Sequence, residues 1–363
     1  ECIREAVCSE VACREFPHGG VPVIAIIDTG LTVKVDNFHG GGRRGLIVRP
    51  NVVRMAHLER SIYFGRGGDE NSEQFTDMLR VRDAVNAIWG PGNKRAELGV
   101  RSSSLQESLV RYAEQIGFGY AHRYWLGDVS SSNVGLDGQL LDYGGFTAAP
   151  GWTRTRGELE LPAFGDEWPS FLTIIQSLAF YLKKVLGRDE DLRALADASH
   201  RAIYTSFGQQ IYAALSGGDP RLGAHALKIT DLIHEYFQTQ QKVKTDMEMG
   251  RRDRKRDSRN WPYRYLKKRA NTGVELVGSS ARLARSIVNA VQEKEADRHL
   301  SAREQGLMLS HAEKYFLPKP LLSGLSLYGG SRRLVNAKSS EDDFATHVCQ
   351  YVDAVLKKSG CKI

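Results

Sequence analysis

An α+β fold is expected from three features of the 363-residue sequence. β-Branched runs broken by glycine-containing turns fill the stretch from Val21 to Arg49, apolar residues at helical spacing take over beyond Arg54, and from Ser170 onward nearly every periodic segment is helical. These features divide the chain into a mixed sheet-and-helix core over 1–160 and a mainly helical part over 161–363, with the boundary between Pro150 and Asp166. The 41% hydrophobic and 26% charged fractions are ordinary for a globular chain with a sizeable core. No window approaches the roughly 18 consecutive apolar residues of a membrane span, and the first residues lack the basic-then-apolar order of a secretory leader. A soluble cytoplasmic protein with no membrane partner is the expectation.

In CIREAVCSEVA, Ile3, Val7 and Val11 share one helical face with charged residues between them. Three strands are expected next, over Val21 to Ile27, Leu31 to Val35 and Gly45 to Arg49, separated by Asp28-Thr29-Gly30 and by His39-Gly40-Gly41-Gly42, as in an antiparallel meander. The triple glycine leads into no helix, so a hairpin turn explains it better than a phosphate loop. Helices follow over Phe75 to Trp89, with Met78, Val81, Val85 and Ile88 on one face, and over Ser104 to Ile116, with Leu105, Leu109, Tyr112, Ala113 and Ile116. Val134 to Leu136 and Gln139 to Leu141 are joined by Asp137-Gly138, a two-residue hairpin signal. Further helices are expected over Ser170 to Leu186, Leu192 to Leu215, Lys228 to Thr245, Val274 to Glu293, Ala302 to Tyr315 and Asp342 to Lys357.

The five cysteines lie near the two ends, show no C-x-x-C spacing, and read as reduced thiols. Much of the +7 formal charge comes from Arg251 to Arg269, which carries ten Lys/Arg, two Asp and three aromatics. Such a run can grip phosphates and stack bases, but a solvated basic helix explains the same letters, and nucleic acid is not an expected partner.

The segment GDVSSSNVGLDGQLLDYGGF, Gly127 to Phe146, sets Asp128, Asn133 and Asp142 among small and apolar residues. Transfer from a nucleoside triphosphate needs divalent ions beside the phosphates, and magnesium takes hard oxygen ligands from one or two side chains. An Asn and an Asp at facing ends of a hairpin supply them. Protein kinases place a catalytic Asp five residues before a metal-binding Asn and follow it with Asp-aromatic-Gly. Here Asp128 stands five before Asn133, and Asp142-Tyr143-Gly144 follows the hairpin.

Three stretches, in order, resemble the selenoprotein O-type protein adenylyltransferases, pseudokinase-like enzymes that bind ATP in a flipped orientation and transfer AMP to protein hydroxyls. CIREAVCSEVACREFPHGGVPVIAII is similar to the family's S-I-R-E-x-x-x-S-E-A … G-I-P-T-T-R-A-L region. VRPNVVRMAHLERSIYF is similar to R-V-A-P-S-H-L-R-F-G-H-F-E-x-F and matches it at Pro50, Arg54, His57 and Glu59. VRYAEQIGFGYAH…NVGLDGQLLDYGGF is similar to the stretch through G-F-A-H-G-V-M-N-T-D-N-M … D-Y-G-P-F-G-F.

The resemblance implies a protein-kinase-like core, ATP as substrate, Mg2+ or Mn2+ as cofactor, and a protein or peptide hydroxyl as acceptor. It places Asn133 and Asp142 on the metal, Arg49, Arg54 and Asp142 on the nucleotide, and Glu5 on the glutamate that pairs with a nucleotide-positioning lysine. The family's base stands immediately before the metal Asn, where this chain has Ser132, so Asp128 is the expected replacement base. Ile47 falls on the first arginine of the family's phosphate pair, with Arg49 two residues on. The family's glycine-rich loop and lysine precede its glutamate; nothing like them precedes Glu5, so a truncated or divergent member is expected. A kinase-like phosphotransferase and a catalytically impaired nucleotide binder are the alternatives.

Overall fold

The computed structural model describes residues 1–33, 42–61, 70–149, 151, 152, 154, 162–215, 231, 234, 235, 237–239, 241, 242, 319–337 and 341–361. The basic run Arg251 to Arg269, the helices expected over Val274 to Glu293 and Ala302 to Tyr315, most of Lys228 to Thr245, and the turn at His39 to Gly41 lie outside these residues. Helix and strand are mixed along the described chain, in agreement with an α+β fold.

Helix α1 spans Cys2–Glu15 and buries Ile3, Val7 and Val11 as their spacing requires. It stops at Phe16, which is extended because Pro17 follows and the proline ring excludes the helical region from its predecessor. Strands β1 (Ala25–Val33) and β2 (Gly42–Val48) form an antiparallel ribbon with Ala25 opposite Val48 and Asp28 opposite Gly45. This corrects the expected meander. Asp28-Thr29-Gly30 does not separate two strands; it is a bulge inside β1, where the register shifts between Asp28 and Thr32. The Asp28 side chain accepts the Gly30 N–H at 2.9 Å, Thr29 Oγ1 donates to the Arg44 carbonyl at 2.7 Å, and Gly30 takes φ +69. The residues chosen for a turn therefore curl one strand instead.

Helix α2 (Glu70–Trp89) buries Val81, Val85 and Ile88, and α3 (Leu105–His122) buries all five residues named for its apolar face. Ser104 caps α3 by accepting the Glu107 N–H at 3.1 Å. Two-residue strands β3 (Tyr124–Trp125) and β4 (Thr147–Ala148) pair with each other. Helices α4 (Trp168–Leu186) and α5 (Leu192–Leu215) pack on α2 and α3, α6 (Gly324–Asn336) and α7 (Glu341–Lys358) pack on α1, and one buried apolar cluster touches all of these helices. No helix among the described residues is long and apolar enough to cross a membrane.

Helices α3 and α5 approach closely at Gly117, where an added Cβ would stand 2.0 Å from the Ile203 carbonyl oxygen of α5. Both groups are helical backbone, so neither yields cheaply. Gly117→Ala is expected to lower unfolding free energy by about 1–3 kcal/mol, the overpacking range, in a denaturant titration.

Glu167, just before α4, is 1% exposed and accepts the Tyr120 hydroxyl and the Gly165 N–H, both at 2.7 Å. Burial outweighs these bonds and pushes its carboxyl up to about 7. The folded value lies above the ordinary 4.5, so the stability carried by the neutral acid is complete below about 4.5 and is lost as pH rises through about 7. Over that interval Glu167→Gln is expected to flatten the pH dependence of thermal unfolding, removing a slope worth about 3 kcal/mol in total.

Candidate functional site

The pairing of Tyr124 with Ala148 and Trp125 with Thr147 brings the two ends of the Leu126 to Phe146 segment together. Within it, Gly127 (φ +78) runs against Gly145 so closely that a Cβ would lie 2.5 Å from the Gly145 Cα and carbonyl oxygen. Only glycine meets both demands there. Between these ends, Val134 bridges Leu140 and the Gly135 N–H donates to the Gln139 carbonyl at 2.9 Å, so a hairpin forms, but its loop is Leu136 to Gly138 and not the expected Asp137-Gly138 alone: the Gly138 N–H donates to the Gly135 carbonyl at 2.9 Å and Gly138 takes φ +85. The Asp137 carboxylate is a staple: it accepts the Arg101 and Ser102 N–H groups at 3.0 and 2.7 Å.

Asp128 leads into a single 3₁₀ turn, Ser131–Asn133, capped by Ser130. The Asn133 amide is held at both ends. Its Nδ2 donates to the Asp128 carbonyl at 3.2 Å and its Oδ1 accepts the Ser132 hydroxyl at 3.0 Å, while Ser130 and Ser132 hydroxyls lie 2.9 Å apart. The Leu141 N–H donates to the Asn133 carbonyl at 3.0 Å, which places Asp142 beside the turn. Asp142 has φ +59, one of two non-glycine residues among those described with a left-handed backbone, and its Oδ1 accepts the Gly144 N–H at 3.4 Å. Such a conformation is uncommon for a side-chain-bearing residue and concentrates at functional sites.

Helix α1 supplies the second wall. Glu5 is buried and ion-paired with Arg49, which leaves the end of β2 and lies 5.7 Å over the Tyr143 ring. Burial raises the Glu5 carboxyl, Arg49 opposes that, and repulsion from Asp142 adds to it. Asp128 is exposed to solvent on one side; its partial desolvation, and then Asp142, raise its carboxyl. The Asp142 carboxylate therefore bears on both of the others. Arg54 reaches the site from the segment after β2: Arg54 forms an isolated antiparallel bridge with Gly135, and its Nη1 donates to the Ser132 carbonyl at 3.3 Å.

All six expected residues, Glu5, Arg49, Arg54, Asp128, Asn133 and Asp142, thus belong to one neighbourhood. Among the described residues no group of three or more His, Cys, Asp or Glu is placed to hold a metal ion; Asn133, Asp142 and Asp128 offer one amide and two carboxylates. Sequence reasoning passed over Arg4. Its guanidinium is buried and donates to the Gly144 carbonyl at 2.6 Å and the Phe146 carbonyl at 3.3 Å, fixing the chain after Asp142 to α1.

Chemically the neighbourhood offers hard oxygen donors, a carboxylate with raised proton affinity, and two guanidinium groups suited to phosphate oxygens. No family model matches the sequence, and no curated protein matches it.

Removing one partner of a buried ion pair leaves an uncompensated charge. Arg49→Met is expected to cost about 3 kcal/mol in urea unfolding, and adding Glu5→Gln to it is expected to recover much of that loss, a coupling read directly from the double-mutant cycle.

Proposed function

We propose that the chain is an ATP- and magnesium-dependent nucleotidyltransferase with a kinase-like core that moves AMP onto hydroxyl groups of protein substrates. The observation that carries this reading is the convergence of Asp128, Asn133 and the left-handed Asp142 between β3 and β4, with Glu5 and two arginines facing them. The resemblance in three ordered stretches supplies the AMP specificity.

In this reading Asn133 Oδ1 and the Asp142 carboxylate hold Mg2+, which when bound neutralises phosphate charge. The donor set fits: hard oxygens, and carboxylates whose mutual repulsion a cation relieves. Arg54 binds phosphate oxygens through its guanidinium fork, and Arg49 is shared between Glu5 and the ligand. Asp128, raised by partial desolvation, takes the proton of the acceptor hydroxyl. The hydroxyl oxygen bonds to the α-phosphorus as the bond to pyrophosphate breaks.

The five-residue interval from Asp128 to Asn133, with Ser132 between, favours one other reading, transfer of the γ-phosphoryl group as in kinases.

ATP labelled on the α- or the γ-phosphate separates the two. Transfer of α-label to protein, lost by about a hundredfold or more in Asp142→Asn, is the expected result; γ-label transfer makes the protein a kinase. With neither label transferred, ATP stabilisation that requires magnesium, about 2.7 kcal/mol at a hundredfold excess over Kd, marks a non-catalytic nucleotide binder. Absence of both transfer and stabilisation ends the nucleotide reading.

A further inference from the structure

The 3₁₀ turn Met55–Leu58 begins at Arg54 and carries His57. The two residues close on each other: the His57 N–H donates to the Arg54 carbonyl at 3.1 Å, and the Arg54 N–H donates to His57 Nδ1 at 3.1 Å. A ring nitrogen that accepts an amide proton carries none itself, so the imidazole is neutral with its proton on Nε2. On its other side Arg54 bridges Gly135, and the Met55 N–H donates to the Val134 carbonyl at 3.2 Å. The Arg54 backbone is held by the hairpin from one direction and by the imidazole from the other.

We infer that His57 is a positioning residue for Arg54: its unprotonated Nδ1 fixes the backbone from which the guanidinium reaches the Ser132 carbonyl, and a proton on Nδ1 releases it. This role rests on the nucleotide reading of the site, because its consequence is phosphate binding at Arg54.

The charged groups around His57 all bear on its titration. Arg54 lies on its own turn. From α2, Arg80 donates to the His57 carbonyl at 2.7 Å and to the Glu59 carbonyl at 2.5 Å, while Asp77 is neutralised by Arg80 and Arg60. From α4, the Ser177 hydroxyl donates to the Glu59 carboxylate at 2.6 Å. The Ser131–Asn133 turn contributes no charged side chain. His57 is exposed on one side; partial desolvation first, then the Arg54 and Arg80 guanidinium groups, lower the imidazole below its ordinary 6.5. The contact is therefore whole at neutral pH and is lost as pH falls through a value below 6.5.

The test compares wild type, His57→Ala and His57→Asn from about pH 8 to about pH 5. Asn places an acceptor oxygen where Nδ1 stands and does not titrate in this range. Two quantities are measured: hydrogen exchange of the Arg54 amide, and equilibrium binding of magnesium-ATP. Wild type is expected to protect the amide and bind ATP at neutral pH, losing both on acidification. His57→Ala loses protection at every pH and binds about three- to tenfold more weakly, the equivalent of one hydrogen bond. His57→Asn restores both and abolishes their acid dependence. Equal amide protection in all three proteins overturns the inference even if ATP binds normally. Protection that follows His57 while no variant binds ATP overturns the nucleotide reading and this role with it.

Discussion

The buried guanidinium of Arg4 is the contact on which the site depends. A backbone carbonyl sheltered from water needs a donor, as that of buried Phe146 does, and the turn after Asp142 sets it and the carbonyl of exposed Gly144 facing α1. Arg4 satisfies both, through Nη1 and Nη2 respectively, and its charge is compensated by the Glu1 carboxylate, which accepts from Nε at 3.1 Å and from Nη2 at 2.5 Å. Burial alone would lower its proton affinity; the Glu1 carboxylate more than reverses this, so the cation persists in the core. One residue later along the same helix, Glu5 pairs with Arg49 at the end of β2. A single turn of α1 therefore tethers the ribbon and the Asp142 loop together. Helices α6 and α7 pack on α1, and the Gly324 N–H at the start of α6 donates to Thr147 Oγ1 of β4 at 2.8 Å.

Electrostatically Asp142 is the hub of the site: it opposes both Glu5 and Asp128, and among the described residues Glu5 alone of the three has a guanidinium in direct contact. Desolvation is the main reason that the Glu5 and Asp128 carboxyls are raised, and repulsion from Asp142 adds to it in both. Asn133 differs: its amide is fixed by Ser132 and the Asp128 backbone, so its oxygen is oriented without any charge being spent on orientation.

Legibility followed the range of the forces involved. The faces of α1, α2 and α3 were readable because burial repeats with the helical period, and Val7, Val81 and Leu109 are fully buried as their spacing demands. The Asp128, Asn133 and Asp142 order was readable because all three sit in one short segment. The Glu5 partner was not: Arg49 is 44 positions away, and no local pattern announces the pair. Helix α6 escaped notice because Gly324, Gly329, Gly330 and its serines resemble a connection. Tertiary contact explains one of them, since a Cβ on Gly330 would meet the Tyr351 hydroxyl of α7 at 2.1 Å. Asp28-Thr29-Gly30 misled for the opposite reason: turn chemistry and bulge chemistry use the same residues, and the partner strand decides between them.

The contact of Gly127 with Gly145 has a mechanical meaning. Two strands of backbone in van der Waals contact transmit displacement with no side chain to absorb it. Asp128 follows one glycine directly and Asp142 precedes the other by three residues, so the main chain that carries the two carboxylates is clamped at its base, and the freedom left to the pair is that of side-chain rotation.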